Sequence, residues 1–440
     1  MKSVQSGSAA VSSLSKMRQG IGIVLVASAL PLGTADRASA EDLTPAAPVA
    51  PDPLRKALFD DATFTLHERS YLFDQYNNEG NDPAAWAIGG WAGYQSGWIG
   101  GFLQFGVVGY TTQPLWAPQD RAGSLLLSPE QEGFSVLGQA YAALRYNDQI
   151  LTLYRQMIDQ PEVNAHDNRM VPNTFEGVTL AGELNPLSYY AGFLTGTKTR
   201  DSDKFINFAE VVGIDQSEPM YLGGLTFSPN EQIKARTSLY VVPNLLASSY
   251  SEGKWALGQF DGNSVNLSSQ FMIQTGIGDE LLTDSTSWVF GVMGDVTQGA
   301  LTLTAGYTAN GSDEDWQSPY GMWPGYTNMV IGVFDRAGEQ AVLLGAAYDL
   351  AHLGMEGLNV SVQAAIDTDV AEGLPMWSEY DFMADYDFSA IHNVPRWMAP
   401  MSIRAQYSVL QSDYSDGDSN LSGEVRLILN YELKSKGKNL

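Results

Sequence analysis

The side chains with most chemistry to offer in this 440-residue chain are charged or phenolic groups, mostly set two or four apart, in short alternating stretches. Lys234 and Arg236 lie in EQIKARTSLYV. Glu424 and Arg426 lie in LSGEVRLILNY, Arg404 in MSIRAQYSV, and Tyr141 and Arg145 in GQAYAALRY. Arg169 stands apart, in NRMVPNTFEG. Residues two apart in a strand point the same way, so each pair puts its polar ends on one face. None of these groups forms a catalytic set. The four histidines, His67, His166, His352 and His392, have no partners at metal-ligand spacing, and there is no cysteine. HEXXH, P-loop, GxSxG and GxGxxG patterns are absent, and nothing selects a triad from the many Ser and Asp residues. The expectation is a protein that is not an enzyme, with no catalytic residues, no metal centre and no cofactor. Three acidic loop clusters, Asp313-Glu314-Asp315, Asp413/Asp416/Asp418 and Asp201/Asp203, offer oxygen ligands to a divalent cation. They lack the fixed spacing of a calcium loop and read as solvated charge.

The other face of the same stretches is apolar. Leu358, Val360, Val362, Ala364 and Ile366 alternate with Asn359, Ser361, Gln363 and Asp367. Met401, Ile403, Ala405, Tyr407 and Val409 alternate with Ser402, Arg404, Gln406 and Ser408, and Leu421, Val425, Leu427, Leu429 and Tyr431 with Ser422, Glu424, Arg426 and Asn430. Tight turns are signalled at Ser96-Gly97, Asn147-Asp148, Asn185-Pro186, Pro229-Asn230 and Gln298-Gly299. Long connections are signalled at 114–133, 310–336 and 412–420. About 18 or 19 strands of about 10 residues fit, with short and long connections roughly alternating. One apolar face per strand cannot build the core of a soluble fold of this length. It does suit lipid, and hydrocarbon demands a closed barrel with no free edge. Aromatics near strand ends (Tyr71, Phe73, Trp98, Tyr110, Trp255, Trp288, Tyr307, Trp377, Trp397 and Tyr431) would then form interfacial girdles. Parity turns Tyr141, Arg145, Lys234, Arg236, Arg404, Glu424 and Arg426 into the lumen, where charge is tolerated.

Composition agrees. Lys and Arg number 24 against 50 Asp and Glu, for a formal charge of -26, which argues against nucleic acid as a partner. Aromatics make up 11% of residues, too many for a disordered acidic chain. No window holds 18 consecutive apolar residues, so no helical span is expected. Residues 1–40 carry Lys2, Lys16 and Arg18, the apolar run Ile21 to Gly33, and Ala38-Ser39-Ala40. They read as a cleaved signal peptide. Removing four basic residues and one acidic residue with it takes the charge from -26 to about -29. Residues 41–60, rich in Pro and Ala, read as a periplasmic linker, 61–432 as the barrel, and 433–440 as a short tail. The competing reading is an exported, water-soluble all-β binding or surface structural protein without channel activity. It predicts solubility without detergent, where a barrel predicts heat-modifiable migration and conductance.

Several stretches resemble the OprD family of outer-membrane porins. SGWIGGFLQFGVVGY (Ser96 to Tyr110), following TFTLHERSYLF, resembles the family's second hairpin. Gly138 to Gly177 is similar to the region ending in an "R-L-x-P-Q-T-F-x-G" phrase, matched or nearly matched here by Arg169, Met170, Pro172, Asn173, Thr174, Phe175 and Gly177. The sharpest likeness is Phe334 to Asp369, and SEYDFMADYDF and GEVRLILNYEL resemble the last strands. The resemblance spans nearly all of the chain beyond the leader. It implies a monomeric, 18-stranded antiparallel barrel in the outer membrane of a Gram-negative bacterium, with long extracellular loops and short periplasmic turns. It implies contact with outer-membrane lipid and lipopolysaccharide, insertion by the barrel assembly machinery, and passive passage of amino acids, peptides or small organic acids. It also implies a third external loop folded inward, making Arg169 either a constriction residue or an anchor of that loop. Two features depart from the family pattern. The usual Lys/Arg ladder is thinned, GQAYAALRY keeping only Arg145, and ELKSKGKNL follows the last barrel aromatic. Thinned basic lining and acidic loops favour cationic or neutral solutes.

Overall fold

The computed structural model describes residues 52–77, 81–260 and 263–437. The signal-peptide expectation over 1–40 and most of the linker lie outside these residues. Residues 53–60, expected as linker, are instead helical, in the turns Pro53–Arg55 and Lys56–Asp60. Asp52 caps the first by accepting from the Leu54 amide at 3.0 Å, and Pro53 fits a first-turn position that needs no donor. The Gly97 amide donates to the Ala57 carbonyl (2.7 Å) and the Tyr94 hydroxyl to that of Leu58 (2.7 Å), tying the helical turns to the barrel rim.

Eighteen strands follow: β1 (Thr63–Tyr76), β2 (Ala84–Gln95), β3 (Leu103–Trp116), β4 (Phe134–Tyr146), β5 (Gln149–Gln156) and β6 (Thr174–Leu184). Then come β7 (Leu187–Lys198), β8 (Met220–Asn230), β9 (Ile233–Val242), β10 (Leu246–Phe260), β11 (Asn263–Gly276) and β12 (Thr286–Gln298). The last six are β13 (Leu301–Asn310), β14 (Gln340–Asp349), β15 (Leu358–Asp369), β16 (Met376–Asp387), β17 (Met401–Asp413) and β18 (Ser419–Lys436). Each pairs with its chain neighbours, and β1 pairs antiparallel with β18 from Thr63↔Lys436 to Tyr76↔Gly423. That seam closes the sheet and leaves no open edge. It also carries β18 past the expected barrel end at 432, because the start of β1 needs partners as far as Lys436.

The two-residue alternation orients every strand. On β17, Gln406, Ser408 and Ser412 are buried inside while Tyr407 is exposed outside. On β18, Ser422, Glu424 and Arg426 are buried while Leu421, Leu427 and Leu433 are exposed. The exposed large apolar side chains, among them Val107, Phe193, Leu239, Phe271, Phe290, Leu303, Val362 and Phe382, form the outward, lipid-facing band. Tight connections 147–148, 185–186, 231–232 and 299–300 gather at one end, and long loops 117–133, 157–173, 199–219 and 311–339 at the other. Several connections break the rule: 243–245, 370–375 and 414–418 are short at the long-loop end, and 96–102, 350–357 and 388–400 are long at the short-turn end.

The long loops fold inward, which changes what the lumen contains. Loop residues Leu126, Leu127, Met170 and Val171 pack on Tyr71, Phe73 and Tyr110 of the wall. Loop residues Phe208 and Tyr320 pack with Tyr240 and Met220. Tyr71, Phe73 and Tyr110 are therefore interior, not girdle residues, and Trp377 joins them, lying 3.6 Å from the Arg336 guanidinium. Trp255 and Trp288 do stand exposed on the outer face, as a girdle requires.

Candidate pore constriction

Four adjacent strands, β16, β17, β18 and β1, supply one wall of the lumen. Their inward positions read Glu379, Asp381, Asp385 and Asp387 on β16, Arg404 on β17, Glu424, Arg426 and Asn430 on β18, and His67, Arg69 and Tyr71 on β1. Two loops press against this wall. From loop 157–173 come Asp167, Asn168 and Arg169; from loop 311–339 come Val330, Ile331 and Gly332.

The wall arginines are paired. Arg69 donates through Nη1 to Asp167 Oδ1 (2.8 Å) and through Nε to Asn430 Oδ1 (2.8 Å). Its Nη1 also donates to the Arg169 carbonyl. Arg404 grips Asp385 with both arms, Nε to Oδ1 at 2.6 Å and Nη2 to Oδ2 at 3.1 Å, a fork geometry that holds orientation as well as charge. Arg426 is bonded to Glu424 on its own strand, and its Nη2 donates to the Val330 carbonyl at 3.2 Å. Glu424 in turn accepts from Gln75 Nε2 at 2.5 Å. Between wall and loop lies a cavity of about 280 Å³ bordered by Arg69, Asp167, Asp385, Asp387, Arg404 and Asn430. A larger concavity, about 720 Å³, opens on the outer surface among Leu66, Ile88 and Leu137 and faces lipid rather than the lumen.

Arg169 sits behind this front. It is buried, donates through Nε to the Ser124 carbonyl (2.9 Å) and through Nη1 to the Asn168 carbonyl (3.0 Å), and stacks 4.9 Å over the Phe73 ring. Its contacts fasten loop 157–173 to loop 117–133 and the wall. Neighbouring Arg200 donates to the Asn168 side chain. Burial, reinforced by Arg169, pulls the Arg200 guanidinium down to about 10. Burial and the two nearby arginines, Arg200 and Arg169, push the His166 imidazole down to about 3, so it stays neutral.

The other sequence-selected residues lie elsewhere in the lumen. Arg145 is at the short-turn end, where Nε and Nη2 donate to the Gly101 carbonyl (3.1 and 2.8 Å) and the guanidinium lies 4.3 Å from the Trp98 ring. Tyr141 accepts from Gln95 at 2.8 Å on the neighbouring wall. Lys234 and Arg236 face inward on β9; Arg236 pairs with Glu252 (2.9 Å), which also meets Lys254 (3.2 Å). Thus Arg404, Glu424 and Arg426 come together with Arg169 behind them, while Tyr141, Arg145, Lys234 and Arg236 form separate clusters. Parity alone could have found Arg69, Glu252, Lys254 and the β16 acids, since Glu379, Asp381, Asp385 and Asp387 share odd numbers within one strand. Asp167 carries no such signal, because a loop has no period. Of the acidic loop clusters, Asp315 accepts from the Ala337 amide (2.6 Å) and Glu314 from the Thr283 hydroxyl. Among the described residues no group of three or more His, Asp or Glu is arranged to hold a metal ion.

A closed 18-stranded barrel with an apolar outer band and a loop-narrowed, charge-lined lumen defines an outer-membrane channel. The chain belongs to the OprD family of outer membrane porins, whose sequence profile matches residues 56–435. It is a multi-pass outer-membrane protein and a channel, not an enzyme. Its fold is similar to that of OpdK from Pseudomonas aeruginosa, solved with vanillate, at 19% identity and TM-score 0.76, covering 86% of this chain and 100% of that one. OccK9 (OpdG) of the same organism is 22% identical, with TM-score 0.76 and the same coverages. OccAB3 of Acinetobacter baumannii is 15% identical, with TM-score 0.75, 85% of this chain and 100% of that one. At these identities the likeness is one of fold. No curated protein sequence matches the chain.

Proposed function

We propose that this porin passes small polar solutes by passive diffusion, as a monomer, and favours cationic or neutral solutes over anions. The supporting observation is that two β16 carboxylates, Asp385 and Asp387, border the cavity beside arginines that each already hold an acid. Arg69 holds Asp167, Arg404 holds Asp385 and Arg426 holds Glu424. At this wall a carboxylate solute must displace one of these partners to gain an arginine. An ammonium or guanidinium group meets Asp387 directly at the edge of the cavity. Amino acids and short peptides carrying a basic group fit this chemistry, as do neutral polar molecules. Vanillate, found with OpdK, supplies the anionic comparison. Bilayer recording of the refolded chain in a salt gradient tests the proposal. A reversal potential of the sign for cations is expected, with block by basic amino acids stronger than by vanillate. Clear anion preference would refute it.

A further inference from the structure

The β16 acids do not all serve the solute. Glu379 is fully buried, and its carboxylate accepts three successive backbone amides of loop 311–339. Val330 and Ile331 donate to Oε1 at 3.0 and 2.7 Å, and Gly332 to Oε2 at 2.6 Å. Converging consecutive N–H groups make a nest for an acceptor; here the occupant is a carboxyl side chain of the wall. The turn is closed by the Met329 amide donating to the Gly332 carbonyl at 3.0 Å. A Cβ at Gly332 would stand 3.1 Å from Glu379 Oε2 and 3.2 Å from the rings of Phe334 and Trp377, so the segment is seated closely. The opposite side of the same segment is held by Arg426, which takes the Val330 carbonyl. The root of the loop has ion pairs of its own: Arg336 binds Glu339 (2.5 Å) and Asp367 (2.6 Å).

Resting on the pore reading above, we infer that Glu379 is a positioning residue for permeation. It fixes residues 330–332 against the wall and so sets the aperture and the partner of Arg426. Without its carboxylate the segment leaves, the lumen widens, and Arg426 Nη2 is released toward the solute path. The change should therefore appear in both conductance and ion preference.

The test is single-channel recording of the full chain with Glu379→Gln, Glu379→Asp and Ile331→Pro, the last deleting one amide donor from the loop side. Conductance in Glu379→Gln should rise on the order of twofold and the reversal potential should move toward anions relative to the unmodified chain. Glu379→Asp, which keeps the carboxyl group, should stay closer to the unmodified chain. Ile331→Pro should change conductance in the same direction as Glu379→Gln. A role confined to barrel stability would lower the heat-modification temperature and leave conductance and reversal potential of inserted channels unchanged; that result overturns the inference. Because the readout is a difference from the unmodified chain, it stands whichever ion that chain prefers.

Discussion

At the residue scale, an arginine's effect on a solute depends on whether its charge is already engaged. Arg404 and Asp385 are both about half exposed at the side chain, 47% and 40%. Water therefore screens their attraction, and exposed pairs of this kind add about 0–1 kcal/mol to stability. Asp385→Asn should leave the melting transition nearly unmoved and shift the reversal potential toward anions, since it frees a guanidinium in the lumen. Arg404→Gln should shift it toward cations. Equal reversal potentials in the two variants would show that this pair does not face the permeating ion. Arg169 is the contrasting case. It is buried against Phe73 and donates to the Ser124 and Asn168 carbonyls, so Arg169→Ala strips both packing and donors from the loop. Its cost should run to roughly 2–3 kcal/mol, read as a lower unfolding temperature with noisier open channels. The NRMVPNTFEG phrase pointed to Arg169 but could not separate lining from anchoring. That distinction rests on which carbonyls a folded loop brings near.

At the scale of elements, the inward loops are held by few, specific contacts. Asn164 of loop 157–173 accepts from the Met322 amide at 3.0 Å, and its own amide donates to the Tyr320 carbonyl at 3.4 Å, joining it to loop 311–339. Tyr320 continues the chain by donating to the Phe208 carbonyl at 3.0 Å. Loop 157–173 has a further tie in Glu162, which accepts from the Ser248 hydroxyl at 2.6 Å, while its other oxygen has no partner. Burial pushes the Glu162 carboxyl up to about 7, against 4.5 for a free glutamate. A carboxyl raised in the folded state favours the protonated form, so its contribution is complete below about 4.5 and is lost as pH rises through about 7. Loop-opening events should become more frequent across that window, and Glu162→Gln should flatten the dependence. Current fluctuations recorded at several pH values would measure it, and an unchanged pH profile in Glu162→Gln would assign the dependence to another group. Strands such as β15, β17 and β18 were legible because a two-residue period repeats over their whole length. The loop interior was not, since Asn164, Tyr320 and Glu162 meet partners far along the chain and follow no period. The same packing explains why Tyr71, Phe73, Tyr110 and Trp377 looked like girdle aromatics in sequence and lie inside in the fold.

At the scale of the whole molecule, the outer surface must satisfy lipid all round the barrel, and one position on β1 does not. Leu66 and Leu72 follow the outward parity of their strand, and Glu68 between them is exposed on the same face, bordering the outer concavity. The row of partners through it runs from Met401, at the short-turn start of β17, through Tyr431, Glu68, Gly90 and Thr111 to Ser135, at the long-loop start of β4. With strands tilted as in such barrels, that row climbs from one rim to the other, and Glu68 falls well inside the apolar band. Thr111 and Ser135 satisfy each other across 2.8 Å, whereas no partner for the Glu68 side chain is found among the described residues. A carboxyl facing hydrocarbon costs less than Lys or Arg at the same depth, so about 1–2 kcal/mol is at stake. Glu68→Leu should therefore stabilise the barrel by that amount in denaturant unfolding from lipid bilayers. Conductance should not change, because the lumen residues on either side, His67 and Arg69, keep their places. Detergent micelles, which bring water to the surface, should shrink the gain. If the leucine variant is instead less stable in bilayers, Glu68 is engaged by a membrane component, and the outward carboxylate is a contact rather than a cost.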